Sequence, residues 1–237
     1  DVILELNSEE LKNLLNNCKF CMGLDESRQY LNGIYLHKNE DQVTTVATDG
    51  HRLSKSVISQ GDKNSFEGII IPKKTVIEIS KILDGCSDKI SISFSKTRIK
   101  FVIGNLVVVS KLVNASFPDY ESVIPKDNKK ELIVSKVDFL SAIRRVSIFS
   151  NKSTHQVAIS LKGKNICNIS TEDPEKSSKA NEHLNVDYKG DELIIGYNAE
   201  YLKDVVSHIP TEDVLINFNT SISAALFSPS LKEEKSE

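Results

Sequence analysis

One amphipathic helix pattern occurs twice in the chain, 128 residues apart, and any fold for the 237 residues has to accommodate that repetition. The first copy runs from Asn7 to about Met22. Asn7 stands as N-cap with Glu10 three residues on, and Leu11, Leu14, Leu15, Cys18 and Cys21 form one apolar stripe. The second opens at Ser135 with Asp138 three residues on and carries Phe139, Ala142, Ile143, Val146 and Phe149 in the same relative places. Two further features repeat in the same order. Pro72-Lys73-Lys74 opens a helical stretch through Ile82-Leu83, and about 125 residues later Asn198 opens another with Tyr201, Leu202, Val205, Val206 and Ile209. Each is followed by an alternating strand, Ile90, Ile92, Phe94 and then Val214, Ile216, Phe218, at a spacing of 124.

Between the paired helices each half carries β-type sequence: Ile34-Tyr35-Leu36 with Thr44–Ala47, and Val157–Leu161 with Ile166–Ser170. The polar linkers His37–Gln42 and Lys162–Asn165 are too short for a crossover helix, so the strands are expected to join as antiparallel hairpins. The expectation is two α+β domains of one fold, divided near residues 115–130. The divider runs from Ala115 to Asn128, is stiffened by Pro118 and Pro125, and carries Phe117 and Tyr120 to pack on a domain.

Composition then narrows the function. The net charge of −3 argues against a surface that is basic throughout. Yet the helical stretches 8–22, 73–84, 135–152 and 198–209 together carry +3, leaving −6 on the rest. Helices more basic than their protein can offer one positive face to a polyanion, although a solvated face has the same composition. No apolar stretch approaches the roughly 20 residues of a membrane span, and no membrane anchor is expected. The chain begins at Asp1 without a visible leader and reads as a fragment. Four cysteines are too few and scattered for a disulfide framework, and five histidines show no metal spacing, which suits a reducing cytosol.

Candidate chemistry is sparse. Cys18-Lys19-Phe20-Cys21 has redox spacing but sits late in a helix on its apolar stripe, where buried small hydrophobes are the better reading. Neither GxxxxGK[ST] nor GxGxxG is present, and no GxSxG elbow. Thr48-Asp49-Gly50-His51-Arg52 lies between strand-like Thr44–Ala47 and Leu53–Val57, with Asp49-Gly50 as a hairpin turn. The alternative is a small hydrolase centred on Asp49 and His51. Periodicity alone stops at a repeated α+β protein with a binding or scaffolding role.

Specific strings go further. Tyr30-Leu31-Asn32-Gly33-Ile34, Ala47 through Leu53, Phe117-Pro118-Asp119-Tyr120 with Val123 and Pro125, and Gly196-Tyr197-Asn198 with Tyr201 resemble, in order and spacing, the bacterial sliding clamps, the β subunits of DNA polymerase III. The resemblance covers nearly the whole chain. It implies tandem clamp domains with helices inside and antiparallel sheets outside: residues 1–116 as the family's second domain, 117–128 as an extended linker, and 129–237 as the third. It further implies a non-catalytic processivity factor that encircles double-stranded DNA without reading sequence. Such a factor tethers polymerase, clamp-loader and repair proteins through short linear motifs, and is a homodimer at full length. No cofactor, metal or membrane is implied, and the location is the bacterial cytoplasm at the nucleoid.

Residue by residue, the resemblance assigns DNA contact to Arg28, Gln29, Tyr30, Lys73 and Lys74. It assigns a peptide groove to Leu31, Thr48, Gly50, His51, Arg52, Leu53, Pro118, Val123, Asn198, Tyr201 and Ile222. The subunit interface falls on Ile148, Phe149, Glu172 and Glu175, with acidic residues of the Glu172–Glu182 segment facing a basic partner. The chain departs from the family pattern at Ser122 and Thr154. It also departs at its end, where Leu231–Glu237 replaces a Met-Pro-x-Arg-type tail, so the third domain is expected to lack that tail.

Overall fold

A computed structural model describes residues 2–25, 27–61, 65–163 and 165–230, so the sequence reading of the tail at 231–237 lies outside the described residues. The chain divides into two compact units, Asp1–Pro118 and Asp119–Glu237.

The first unit opens with β1 (Val2–Asn7) and α1 (Ser8–Lys19). A reciprocal capping box starts the helix: Glu10 N–H donates to Asn7 Oδ1 at 2.8 Å, and Asn7 N–H to Glu10 Oε2 at 2.9 Å. The helix ends at Lys19, three residues short of the sequence expectation. Cys21 N–H bonds back to the Cys18 carbonyl, tightening the chain into a turn, while Cys21 and Met22 remain buried. Next come β2 (Gly33–Asn39), β3 (Gln42–Thr48), β4 (Leu53–Ser59), β5 (Phe66–Pro72) and α2 (Lys73–Leu83). β6 (Lys89–Phe94), β7 (Arg98–Ile103) and β8 (Leu106–Lys111) complete the unit. The β2–β3 connection is narrower than the polar run suggested, because His37 and Lys38 belong to β2 and are buried.

Two antiparallel sheets result, β4-β3-β2-β5 and β1-β6-β7-β8. Leu11, Leu14, Leu15 and Cys18 of α1 and Val76, Ile79 and Leu83 of α2 meet Ile90, Ile92 and Phe101 of the second sheet in one core. Phe117 stacks on Tyr35 with ring centroids 4.7 Å apart, while Gly68 leaves room for the Tyr35 ring, which a Cβ there would meet at 2.0 Å.

The second unit repeats the order with one strand added, β13: β9 (Lys130–Ser135), α3 (Lys136–Ser147), β10 (Gln156–Leu161), β11 (Ile166–Asp173), β12 (Ser178–Asn185) and the short β13 (Asp187–Lys189), which pairs with β9. β14 (Leu193–Asn198), α4 (Ala199–Ser207), β15 (Asp213–Phe218) and β16 (Leu226–Pro229) follow. Its sheets are β12-β11-β10-β14 and β13-β9-β15-β16, around a core of its own that includes Phe139, Ile143, Leu202, Val206, Ile216 and Phe218. α1 and α3 match end to end at the repeat spacing.

Candidate nucleic-acid and peptide interfaces

Asp25 and residues 27–32 of the first unit belong to a tied loop that includes a 3-10 turn, Gln29–Leu31. Asp25 organises it: Oδ1 accepts from the Ser27 hydroxyl at 2.6 Å and the Ser27 N–H at 2.9 Å, and Oδ2 from Arg28 Nε at 2.8 Å. The Ser27 hydroxyl first, then Arg28, hold the Asp25 carboxyl down at about 2. The loop is joined to α2 through Asn32. Its Nδ2 donates to the Asp25 carbonyl at 2.9 Å, and its own carbonyl accepts the Lys73 N–H at 2.9 Å. The segment carrying Arg28, Gln29 and Tyr30 is thereby joined to the start of α2 with Lys73 and Lys74, and Arg28, Gln29 and Lys74 are exposed.

Lys73 and Lys74 occupy the first turn of α2, which has no acidic residue there and no side-chain cap. That end of a helix carries about half a positive charge, so two cations there oppose the helix rather than support it. Each of the other three α-helices places acid in its first turn.

The second arrangement is the β3–β4 turn. Gly50 sits at φ +90°. Asp49 Oδ1 accepts from His51 N–H at 2.9 Å and Arg52 N–H at 3.1 Å, and Oδ2 from Arg52 Nε at 3.1 Å. The Arg52 guanidinium continues to the Phe20 carbonyl at 3.1 Å and lies 5.5 Å from the Phe20 ring centroid. Thr48 Oγ1 donates to the Arg52 carbonyl at 2.7 Å, closing the turn. The carboxylate that a hydrolase would need as a base is thus spent on the turn, and Ser54 on the following strand donates its hydroxyl to the Asn17 carbonyl.

Leu31 is joined to the same region, since its carbonyl accepts the Gly23 N–H at 2.8 Å, three residues beyond Phe20. Its side chain is already buried, so it supports the surface more than it lines it. Leu53 is half-buried and Pro118 exposed. The sequence reading missed one member. A Cβ on Gly50 would lie 3.0 Å from Arg28 Nη1, so Arg28 reaches from the 25–32 loop over the Gly50 turn. No sequence pattern joins residues 28 and 50. The Asp49–Arg52 pair was more accessible, being opposite charges three apart across a turn.

In the second unit, Asn198 caps α4 by accepting from Glu200 N–H at 2.9 Å and Tyr201 N–H at 3.3 Å, and its Nδ2 donates to the Thr154 carbonyl. Val123 and Ile222 stand out at 63% and 95% exposure. The segments carrying them are linked by Asn128, whose Nδ2 donates to the carbonyls of Asn217 and Ala224, each at 2.9 Å.

Ile148 and Phe149, just beyond α3, are 76% and 47% exposed, whereas Phe20 and Cys21, 128 residues earlier, are sheltered. Ser178 Oγ donates to the Phe149 carbonyl at 3.2 Å, joining this apolar pair to the start of β12. Glu172 and Glu175 are exposed nearby in sequence, but Glu182 is taken by Arg145, which holds its carboxyl below the ordinary range.

Cys18 and Cys167 are buried, which pushes their thiols up to about 11 and about 12, away from thiolate chemistry. No helix among the described residues is long and apolar enough to cross a membrane.

Residues 5–119 match the family model for the central domain of the DNA polymerase III beta subunit, and residues 121–236 match that for its C-terminal domain. The chain is 32% identical over 225 residues to the beta sliding clamp of Proteus mirabilis, covering 94% of this chain and 61% of that protein. The Escherichia coli K12 beta sliding clamp is likewise 32% identical, over 224 residues and 61% of its length. Among solved structures, a Pseudomonas aeruginosa sliding clamp bound to griselimycin superposes with TM-score 0.93 at 29% identity, covering 98% of this chain and 63% of that one. The Bartonella birtlesii clamp, also bound to griselimycin, superposes at 0.91 with 33% identity. The chain therefore spans about three fifths of these relatives' length. No support remains for a hydrolase.

Proposed function

The chain belongs to the beta subunit family of bacterial DNA polymerase III, and from that premise we propose that it serves as the central and C-terminal domains of a DNA sliding clamp. It acts without catalysis, as a processivity factor on duplex DNA. The observation that carries this reading is the start of α2, tied to the segment of Arg28, Gln29 and Tyr30, where Lys73 and Lys74 stand at a helix end that disfavours them. Cations kept against the helix dipole serve a ligand, and phosphate is the ligand they fit. Few contacts of this kind suit a protein that must slide. The basic edge makes phosphate contacts that position without reading bases.

The Thr48–Leu53 turn with Arg28, Leu31 and Pro118 in one unit, and Val123, Asn198, Tyr201 and Ile222 in the other, are proposed to receive linear motifs of polymerase, clamp-loader and repair proteins. Each set offers apolar surface beside fixed polar groups, which is the chemistry of peptide anchoring. Ile148 and Phe149, with Glu172 and Glu175, are proposed to meet a second subunit. Their exposure against the shelter of Phe20 and Cys21 supports that reading. The proposed location is the bacterial cytoplasm, at the nucleoid.

The deciding experiment loads the clamp containing these two domains onto circular DNA and then cuts the circle. A sliding clamp falls off the ends; retention on linear DNA overturns the reading. For the 237-residue chain alone, sedimentation should give a monomer or a weak dimer, and a stable closed ring would contradict the interface assignment.

A further inference from the structure

The β1-β6-β7-β8 sheet has two unlike faces. Leu4, Leu6, Ile90, Ile92, Ile99 and Phe101 turn one face into the core that also takes up α1 and α2. The other face is open to solvent, and strand register fixes what it carries. Arg98 lies directly opposite Lys111, and Lys100 directly opposite Val109. Val102 pairs with Val107 in the next row on that face. Like charges directly opposite each other destabilise a sheet. The structure supplies no compensation: none of Arg98, Lys100 and Lys111 has an ion-pair partner among the described residues. Lys89 adds a fourth cation on the same face, where Glu5 and Asp88 stand beside it around one shallow pocket.

The repeat provides an internal control. In the second unit Asp213 opens β15 where Lys89 opens β6, and β16, which pairs with β15 as β7 pairs with β6, carries no charged residue. The repeat therefore forms these paired strands without the cations of β7, so the fold does not require them. In a chain of net charge −3 the first unit's face is the exception.

We propose that the solvent face of the β1-β6-β7-β8 sheet docks an extended acidic segment of a partner protein, with carboxylates on Arg98, Lys100 and Lys111 and apolar side chains on Val102, Val107 and Val109. Alternation suits the match. On an extended peptide, residues two apart share a face, as Arg98 and Lys100 do on β7. A single-stranded nucleic acid fits less well, because the face presents no aromatic ring for base stacking and three exposed or half-exposed valines instead. The surface is the sheet face opposite the one that packs on α1 and α2.

The test uses the 237-residue chain and a fluorescent ten-residue peptide in which Glu and Asp alternate with Val and Thr, followed by anisotropy at low salt. Binding should weaken at least tenfold in Lys100→Glu and in Arg98→Glu, and stay unchanged in Lys189→Glu on the counterpart sheet. All three residues are exposed, and circular dichroism checks that each variant is folded. A scrambled peptide that groups its acids should bind less well. Equal binding by wild type and both charge reversals overturns the proposal. So does a thymidine decamer that displaces the peptide at lower concentration and is lost with the same substitutions, because the face would then belong to nucleic acid.

Discussion

In the first unit α2 begins behind Pro72, with Lys73 and Lys74 in its first turn and no side chain capping it. In the second, α4 begins behind Asn198, whose carboxamide takes two backbone N–H groups, with Glu200 in the favoured position. The two helices occupy the same place in the repeat. One follows the local rules for starting a helix and the other sets them aside, and the sheets differ too, with cations on β7 in one unit and no charged residue on its counterpart β16 in the other. Where two copies of a fold solve one structural problem differently, the copy that departs from the local optimum is the place to test for a ligand.

Each unit has a core of its own, and the largest effects test that. Phe101 in the first core and Phe139 in the second are fully buried. Phe101→Ala and Phe139→Ala should each cost about 3–5 kcal/mol. Calorimetry with limited proteolysis should show each substitution lowering the transition of its own unit. A single transition lowered equally by both would mean that the units unfold as one body.

Much of this division was legible in the sequence. Helix stripes and alternating strands depend on residues three, four or two apart, and the capping box at Asn7 on a spacing of three, so local pattern sufficed. The helix end at Lys19 was not legible, because the apolar stripe runs on through Cys21 while the backbone turns away beneath it. The Thr48–Arg52 turn could be placed, but not the approach of Arg28 to Gly50, which needs two segments folded together. The basic sheet face was equally hidden. Arg98 and Lys111 become neighbours only through the β7–β8 register, and composition averaged them away against acids elsewhere.

The helix starts themselves can be probed in opposite directions. Asn198→Ala removes the cap of α4 and should cost about 1 kcal/mol, read as a lower melting temperature of the second unit. Lys74→Glu should do the reverse in the first unit, stabilising α2 by about 0.3–1 kcal/mol by placing an acid at the positive end of the helix. The same substitution should weaken binding to a short DNA duplex and reduce its salt dependence by about one ion. A gain in stability without loss of DNA binding would remove the reason for reading α2 as the functional departure.

The smallest effect concerns the loop that carries Arg28. Asp25 is held at about 2, first by the Ser27 hydroxyl and then by Arg28, so its carboxylate survives well below the range in which an ordinary aspartate titrates, about 3.9. A depressed carboxyl contributes its stabilisation above the unfolded value and loses it as pH falls through the folded one. The loop should therefore be unchanged from pH 7 to about 3, and should release Arg28 from Asp25 only near pH 2. Following the Asp25 carboxyl resonance by NMR from pH 6 downward measures this directly, and Ser27→Ala should move the midpoint up toward the ordinary value because it removes the leading cause. A wild-type midpoint near that of an ordinary aspartate would show that Asp25 does not hold the loop. The orderly presentation of Arg28 at the Gly50 turn would then need another source.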